Sequence, residues 1–207
     1  MKELEISKTL EEIRKSKERK FEQTIELIIN LKKYDIKKNS INTFINLPNK
    51  IKDKKICGFI ESKSELVDVI SKANFPLYKD KKKVKKLVKN YDFFISSGPN
   101  MPAVATTFGR ILGPVGKMPS PKLGIVMTES PEAIKELVNK INTAVRIQTK
   151  EPCIKIAIGK EKMNDKEISA NIQFVYKTII KELPLGKDNV KNIMIKLTMG
   201  KPIKVKL

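Results

Sequence analysis

Gly109-Arg110-Ile111-Leu112-Gly113-Pro114-Val115-Gly116-Lys117-Met118-Pro119-Ser120-Pro121-Lys122 is the stretch on which the reading of this chain turns. It holds three glycines, three prolines and three cations. Breakers at that density argue against a helix or strand interior, so the run is expected to be an ordered, cationic loop. A backbone stiffened by Pro114, Pro119 and Pro121 would present Arg110, Lys117 and Lys122 to RNA or to another domain at low ordering cost. The alternative is a structural turn without a ligand.

The chain as a whole favours the first reading. Among 207 residues, 43 Lys and Arg face 23 Asp and Glu, a formal charge of +20. Forty per cent of the residues are apolar, enough for a packed core, so the excess charge sits on a folded scaffold. Such a field draws in phosphate backbones or anionic membranes. No apolar stretch is long enough to span a bilayer, and the charged start, Met1 to Glu5, lacks the apolar segment of a signal peptide. Nucleic acid is the favoured partner. The absence of histidine removes the commonest general base and metal ligand. A Ser-His-Asp triad and a histidine-based zinc site are excluded. Cys57 and Cys153 are too few for a cysteine-rich zinc site and read as buried thiols. No metal or cofactor is expected.

Two phosphate-binding motifs fail on inspection. A phosphate-loop NTPase needs a hydroxyl after its Gly-Lys pair, but Met118 follows Gly116-Lys117, and Ile111 stands where the first glycine belongs. A dinucleotide fingerprint needs glycines directly after its strand; Lys55–Ile60 is followed by Glu61-Ser62-Lys63.

Outward from the loop, the periodicity changes twice. Lys55–Ile60 and Tyr91–Ser97 are short continuous apolar runs, expected to be strands buried on both faces. Helices are expected at Ser64–Ala73, Asp80–Asn90 and Met101–Leu112, and from Pro131 to about Asn142, with a short strand at Gly124–Met127. This alternation implies a parallel, three-layer α/β domain. On either side the pattern differs. Thr24–Leu31, Ile41–Leu47, Cys153–Ile158 and Val190–Leu197 alternate with period two, as half-exposed strands do. Pro202–Leu207 reads as an edge strand, while Ser7–Lys20 and Glu167–Leu183 read as amphipathic helices. The economical architecture is an α+β split domain, 1–49 and 144–207, with an inserted α/β domain, 50–143. Linkers near Pro48–Lys50 and Asn142–Thr143 would form a hinge.

If both ends form one domain, Lys20-Phe21 and Thr198-Met199-Gly200-Lys201 converge on one sheet-end surface. Thr198 can bond a ribose or phosphate, Met199 and Phe21 can stack on bases, and Gly200 permits close approach. Phe21 taken alone reads rather as a core aromatic. The lysine run from Lys79 to Lys89 reads either as a solvated helix face or as a phosphate track. Two rival functions remain: an α/β enzyme acting on a nucleotide or nucleic acid through Asp92 or Glu129, and a general DNA-binding protein.

The run from Gly109 to Lys122 resembles the signature of the ribosomal protein L-one family, large-subunit proteins of the mobile stalk beside the tRNA exit site. Phe21-Glu22-Gln23-Thr24-Ile25-Glu26-Leu27 resembles the family's first-strand motif, with Gln23 where an acid is frequent, and Thr198-Met199-Gly200 its C-terminal motif. Lys117-Met118 resembles the archaeal form. The resemblance implies a split α+β domain with an inserted Rossmann-like domain that binds no nucleotide, and no enzymatic activity. It implies an RNA site in the split domain at Lys20, Phe21, Thr24, Glu26, Thr198, Met199 and Gly200. Secondary contacts would come from Arg110, Lys117 and Lys122. The implied partners are large-subunit ribosomal RNA, the protein's own mRNA, whose translation it would repress, and exit-site tRNA. The implied setting is the cytoplasmic ribosome, with a monomer outside it.

Overall fold

The computed structural model describes residues 3–205 apart from 16–18, 63, 65, 79, 128 and 150. In chain order the helices are α1 (Glu3–Arg14), α2 (Lys81–Asn90), α3 (Met101–Val115), α4 (Pro131–Thr143) and α5 (Asp165–Glu182). The first six strands are β1 (Thr24–Leu31), β2 (Asn42–Asn46), β3 (Ile56–Phe59), β4 (Asp68–Val69), β5 (Phe93–Ser97) and β6 (Ile125–Val126). The remaining four are β7 (Ala144–Gln148), β8 (Cys153–Lys160), β9 (Val190–Leu197) and β10 (Ile203–Val205). Two compact units result: Met1–Lys52 with Thr143–Leu207, and Asp53–Asn142.

The first unit is built on a sheet of order β10-β9-β1-β8. Strand β1 lies inside it, antiparallel to β8 and to β9. Ile25, Leu27, Ile29 and Leu31 alternate onto one face and are buried with Ile6 and Leu10 of α1 and Ile168, Ile172 and Val175 of α5. Thr24, Glu26 and Asn30 stay half-exposed on the other. The Arg14 guanidinium joins the two helices, 2.6 Å from the Asp165 carboxylate and donating to Met163 O at 2.8 Å. The helix expected over Ser7–Lys20 ends at Arg14; Arg19 and Lys20 are not helical, and 16–18 lie outside the described residues. Strand β7, unforeseen, pairs antiparallel with β2.

Neither expected linker is a free segment. The fully buried side chain of Asn171 accepts from Asn49 N–H at 3.0 Å and donates to Asn49 O at 3.1 Å and Ile158 O at 2.9 Å. Position 49 is therefore pinned to α5 and β8. At the second crossing α4 runs to Thr143 and β7 starts at Ala144, with nothing between them.

The second unit carries an all-parallel sheet of order β4-β3-β5-β6. Cys57, Phe59 and Phe94 pack with Val84, Leu87 and Val88 of α2 and Val104, Phe108 and Leu112 of α3. The Phe59 ring lies 5.7 Å from Phe94 and 4.8 Å from Phe108. Ile60 and Ile95 are also fully buried, so the strands are covered on both faces, as their apolar runs suggested. Burial pushes the Cys57 thiol up to about 12; Cys153 is half-buried, and both cysteines are free.

Two expectations fail here. Ser64–Ala73 is not a helix: Asp68–Val69 pair in parallel with Cys57 and Gly58 as an edge strand, and a 3-10 helix follows over Lys72–Tyr78. Lys63 and Glu65 lie outside the described residues. Of the expected stripe, Leu66 is exposed and Ile70 is buried, while Val67 is buried instead; so short a segment carries no reliable period. The larger correction concerns the glycine run. Helix α3 continues through Gly109, Gly113 and Pro114 to Val115. Burial of Val104, Phe108 and Leu112 at four-residue spacing outweighs the propensity cost of the glycines. Pro114 falls in the final turn, where its missing N–H forfeits one terminal bond. The helix stops at Gly116, whose φ of 73° is left-handed. Gly116 N–H donates to Gly113 O at 2.9 Å and Lys117 N–H to Leu112 O at 3.0 Å, the paired bonds that close a helix on a glycine.

Candidate nucleic-acid interface

Antiparallel pairing decides what meets at one end of the first unit's sheet. Thr24 opens β1 opposite Lys160 at the end of β8, and Ile25 faces Leu197 at the end of β9. The lead-in Lys20–Gln23, the turn Thr198–Gly200 and the turn after Lys160 therefore share one edge, although 174 positions separate Thr24 from Thr198. A register shift between Ile25 and Glu26 marks a bulge at this edge, a common device for aiming side chains near sites.

Hydrogen bonds lock the edge. Thr24 O accepts from Thr198 N–H at 3.0 Å and from the Thr198 hydroxyl at 3.1 Å. The donating hydroxyl oxygen retains acceptor capacity of its own. Gln23, only 3% exposed, accepts from Met199 N–H through its side-chain oxygen at 3.3 Å. Its backbone exchanges bonds with Glu161: Gln23 N–H donates to the carboxylate at 3.1 Å, and Gln23 O accepts from Glu161 N–H at 3.0 Å. Gly200 N–H donates to Leu197 O at 2.8 Å. A Cβ at Gly200 would come within 3.3 Å of the Leu197 Cβ, so the turn is tight there.

Upon this frame stand two uncovered apolar side chains, Phe21 at 55% and Met199 at 60% exposure. The core alternative for Phe21 is thereby overturned. Lys20 and Thr198 are exposed, and Thr24, Glu26 and Gly200 are half-buried. The Glu26 carboxylate is balanced by Lys196, 3.6 Å away across the strand pair, and the same ammonium donates to Thr198 O at 3.1 Å. A half-buried surface pair of this kind adds about 1 kcal/mol of stability; its service is to fix Glu26 and the turn carbonyl relative to each other. Gln23 and Lys196 are positioning residues to which the sequence reading gave no such role. Their signal is the strand register, invisible before pairing is known.

The second unit treats its three cations unequally. Arg110, on α3, and Lys122 are exposed. Lys117 is half-buried, and its ammonium donates to Val88 O at 2.8 Å and Tyr91 O at 2.7 Å. It closes the C-terminal end of α2, where carbonyls lack helical partners and cations are favoured. Along α2, Lys85 and Lys89 line a cleft of about 490 Å³ with Arg110, whereas Lys83 and Lys86 line another with Tyr78 and Tyr91. Lys79 lies outside the described residues.

The carboxylates proposed for an enzyme do not pair. Asp92 precedes β5 and accepts from Lys55 N–H at 3.3 Å, whereas Glu129 accepts from Glu61 and Ser62 N–H, both at 3.0 Å, beyond the opposite ends of the strands. Burial pushes the Glu129 carboxyl up, but bonds from the Ser62 amide, the Ser97 hydroxyl and the Glu61 amide outweigh it and hold the group below 4.5. A carboxylate held anionic by fixed donors is a poor proton acceptor near neutral pH. Among the described residues no group of three His, Cys, Asp or Glu is placed to hold a metal, and no helix is long and apolar enough to cross a membrane.

Residues 13–201 match the model of the Ribosomal protein L1p/L10e family. The chain belongs to this family. Relatives named large ribosomal subunit protein uL1 include that of Pyrococcus abyssi, 36% identical over 93% of this chain and 90% of its own length. That of Pyrobaculum arsenaticum is 36% identical over 97% and 92%, and that of Methanothermobacter thermautotrophicus 34% identical over 95% and 97%. This member is of the archaeal type, and family membership makes it a structural protein rather than an enzyme.

Proposed function

We propose that this chain is a structural component of the large ribosomal subunit in the cytoplasm, and that it grips ribosomal RNA of the mobile stalk through the sheet end of its first unit. Lys20, Phe21, Thr24, Glu26, Thr198, Met199 and Gly200 make the contacts. The reading is carried by one observation: strand register unites segments from both ends of the chain on a cationic edge that leaves Phe21 and Met199 bare. Exposed apolar side chains amid hydrogen-bonding groups suit unpaired, splayed bases, and half-exposed acceptors suit 2′-hydroxyls. Glu26, already balanced by Lys196, accepts from base amines and supplies selectivity. Arg110 and Lys122 make weaker contacts from the second unit; Lys117 acts there through α2, two of its three donors being engaged. The same surface binds a similar fold in the protein's own mRNA and represses its translation. Exit-site tRNA is a further partner, and the free protein is a monomer.

The test is binding of the full chain to a stalk RNA fragment. Met199→Ala, at an exposed position, is expected to leave folding unchanged and weaken binding by ~1–3 kcal/mol, the scale of one base stacking contact. Log affinity should fall linearly with log salt, by about 0.7–0.9 per phosphate neutralised. Unchanged affinity in Met199→Ala and Phe21→Ala, with both folded, would remove the site. Equal affinity for random duplex DNA would favour the general DNA-binding reading.

A further inference from the structure

The second unit has the topology that in other open α/β sheets creates a ligand crevice. Strand β3 lies inside the sheet; the chain leaves it toward β4 on one side and then crosses to β5 on the other. The connections after β3 and β5 thus diverge, and the gap beyond their carboxyl ends is a switch point, where such sheets bind phosphate-bearing ligands. Here the gap is furnished with donors. Glu61 and Ser62 present two consecutive backbone N–H groups after β3, a small anion nest, and Ser97 ends β5 with a buried hydroxyl. These donors already have an occupant. Glu129, from the connection between β6 and α4, places one carboxylate oxygen 3.0 Å from both amides.

We infer that Glu129 is a resident anion, filling from within the chain a crevice that would otherwise accept a phosphate group. The chemistry follows from the donor set. Two converging amides recognise a compact oxyanion, and a carboxylate satisfies them as a phosphate monoester would. The negative charge inside a chain of +20 also explains why this position tolerates an acid: its donors are fixed and its charge lies in a strongly cationic field. Nucleotide exclusion is then an active property of one side chain. It does not rest on the missing glycines alone, because the two amides that would hold a phosphate are present and converge on one carboxylate oxygen. A ligand approaching this gap must displace a tethered competitor that pays no entropy of association.

The experiment removes the tether. Full-length Glu129→Ala and Glu129→Gln proteins are titrated at constant ionic strength with inorganic phosphate, adenosine monophosphate and adenosine, with calorimetry and thermal unfolding as readouts. Wild type should show only weak, non-saturating binding to its cationic surface. Glu129→Ala should lose stability and regain it with phosphate along a saturable one-to-one isotherm. The unfolding constant should fall about tenfold for each tenfold rise in phosphate above the dissociation constant. Acetate, which restores the missing carboxylate, should rescue more weakly. Adenosine monophosphate binding no better than phosphate assigns the site to the phosphate group alone; tighter binding extends it to the nucleoside. Glu129→Gln, whose amide still fills the gap, should respond to neither. Should Glu129→Ala fold normally without a saturable phosphate response, or remain unfolded in concentrated phosphate, the inference is overturned. A phosphate response in Glu129→Gln equal to that of Glu129→Ala would also overturn it, since occupancy rather than charge would then be irrelevant.

Discussion

Replacing a glycine by alanine should have opposite signs at positions seven and three residues apart in the same signature. Gly109 and Gly113 lie inside α3, and a Cβ added at either would meet nothing within 4 Å. Alanine in a helix interior is favoured over glycine by about 1 kcal/mol, because the unfolded chain loses freedom and the helix gains no clash. The two positions are one turn apart, where side chains of methyl size do not collide. The double variant should therefore stabilise the second unit by about 2 kcal/mol. For a domain of roughly 90 residues that amounts to a rise of about 8–16 °C in Tm, at roughly 4–8 °C per kcal/mol. Gly116, at φ 73°, is in the left-handed region, so Gly116→Ala should cost about 1 kcal/mol. Calorimetry of the full-length variants, with denaturant titrations checked for an unchanged m value, reads both effects. A loss of stability in the double variant, or a gain in Gly116→Ala, would show that the signature is the irregular loop its composition suggests and that the helical account is wrong.

Gln23→Leu leaves Met199 N–H without its acceptor and should cost about 1 kcal/mol in stability while weakening stalk RNA binding, as seen by filter binding beside denaturant melts. Lys117→Met strips two carbonyls at the end of α2 of a charged donor. A loss of about 1–3 kcal/mol in the second unit's stability, with RNA affinity little changed, would mark it as a structural cation. Glu129 sets an acid response. Its folded carboxyl lies below the ordinary 4.5, so its stabilisation is fully present above that value and is lost as pH falls through the lower folded value. Glu129→Gln should thus be less stable than wild type at pH 6, with the gap narrowing progressively as pH falls below 4.5; a gap that does not narrow in acid would contradict the assignment.

The sequence reveals an element only where the residues that share its face recur at a regular spacing along the chain. Strands β1, β8 and β9 announced themselves because one face is buried and the other half-exposed, which writes period two into the sequence. Strands β3 and β5 did so through continuous apolar runs. Strand β4 did not, because two edge residues carry no period, and β7 hid where α4 runs into it unbroken. In α3, local propensity pointed one way and burial of Val104, Phe108 and Leu112 the other; burial prevailed. The interface divides similarly. Phe21 and Thr198-Met199-Gly200 stand out as local motifs, whereas Gln23 and Lys196 acquire their roles only from cross-strand register.

The central strand of the first unit has both of its hydrogen-bonded partners in the last third of the polypeptide. During synthesis β1 must therefore wait, unpaired, while the residues that will flank it are still being added. The block from Asp53 to Asn142 contains its own sheet and core and can close while the ribosome is still translating. A product released before β9 is complete would carry Phe21 without Met199, and so half of the proposed RNA-contact surface. Under the proposed function, competence to hold RNA would thus be tied to completion of β9 and the turn after it.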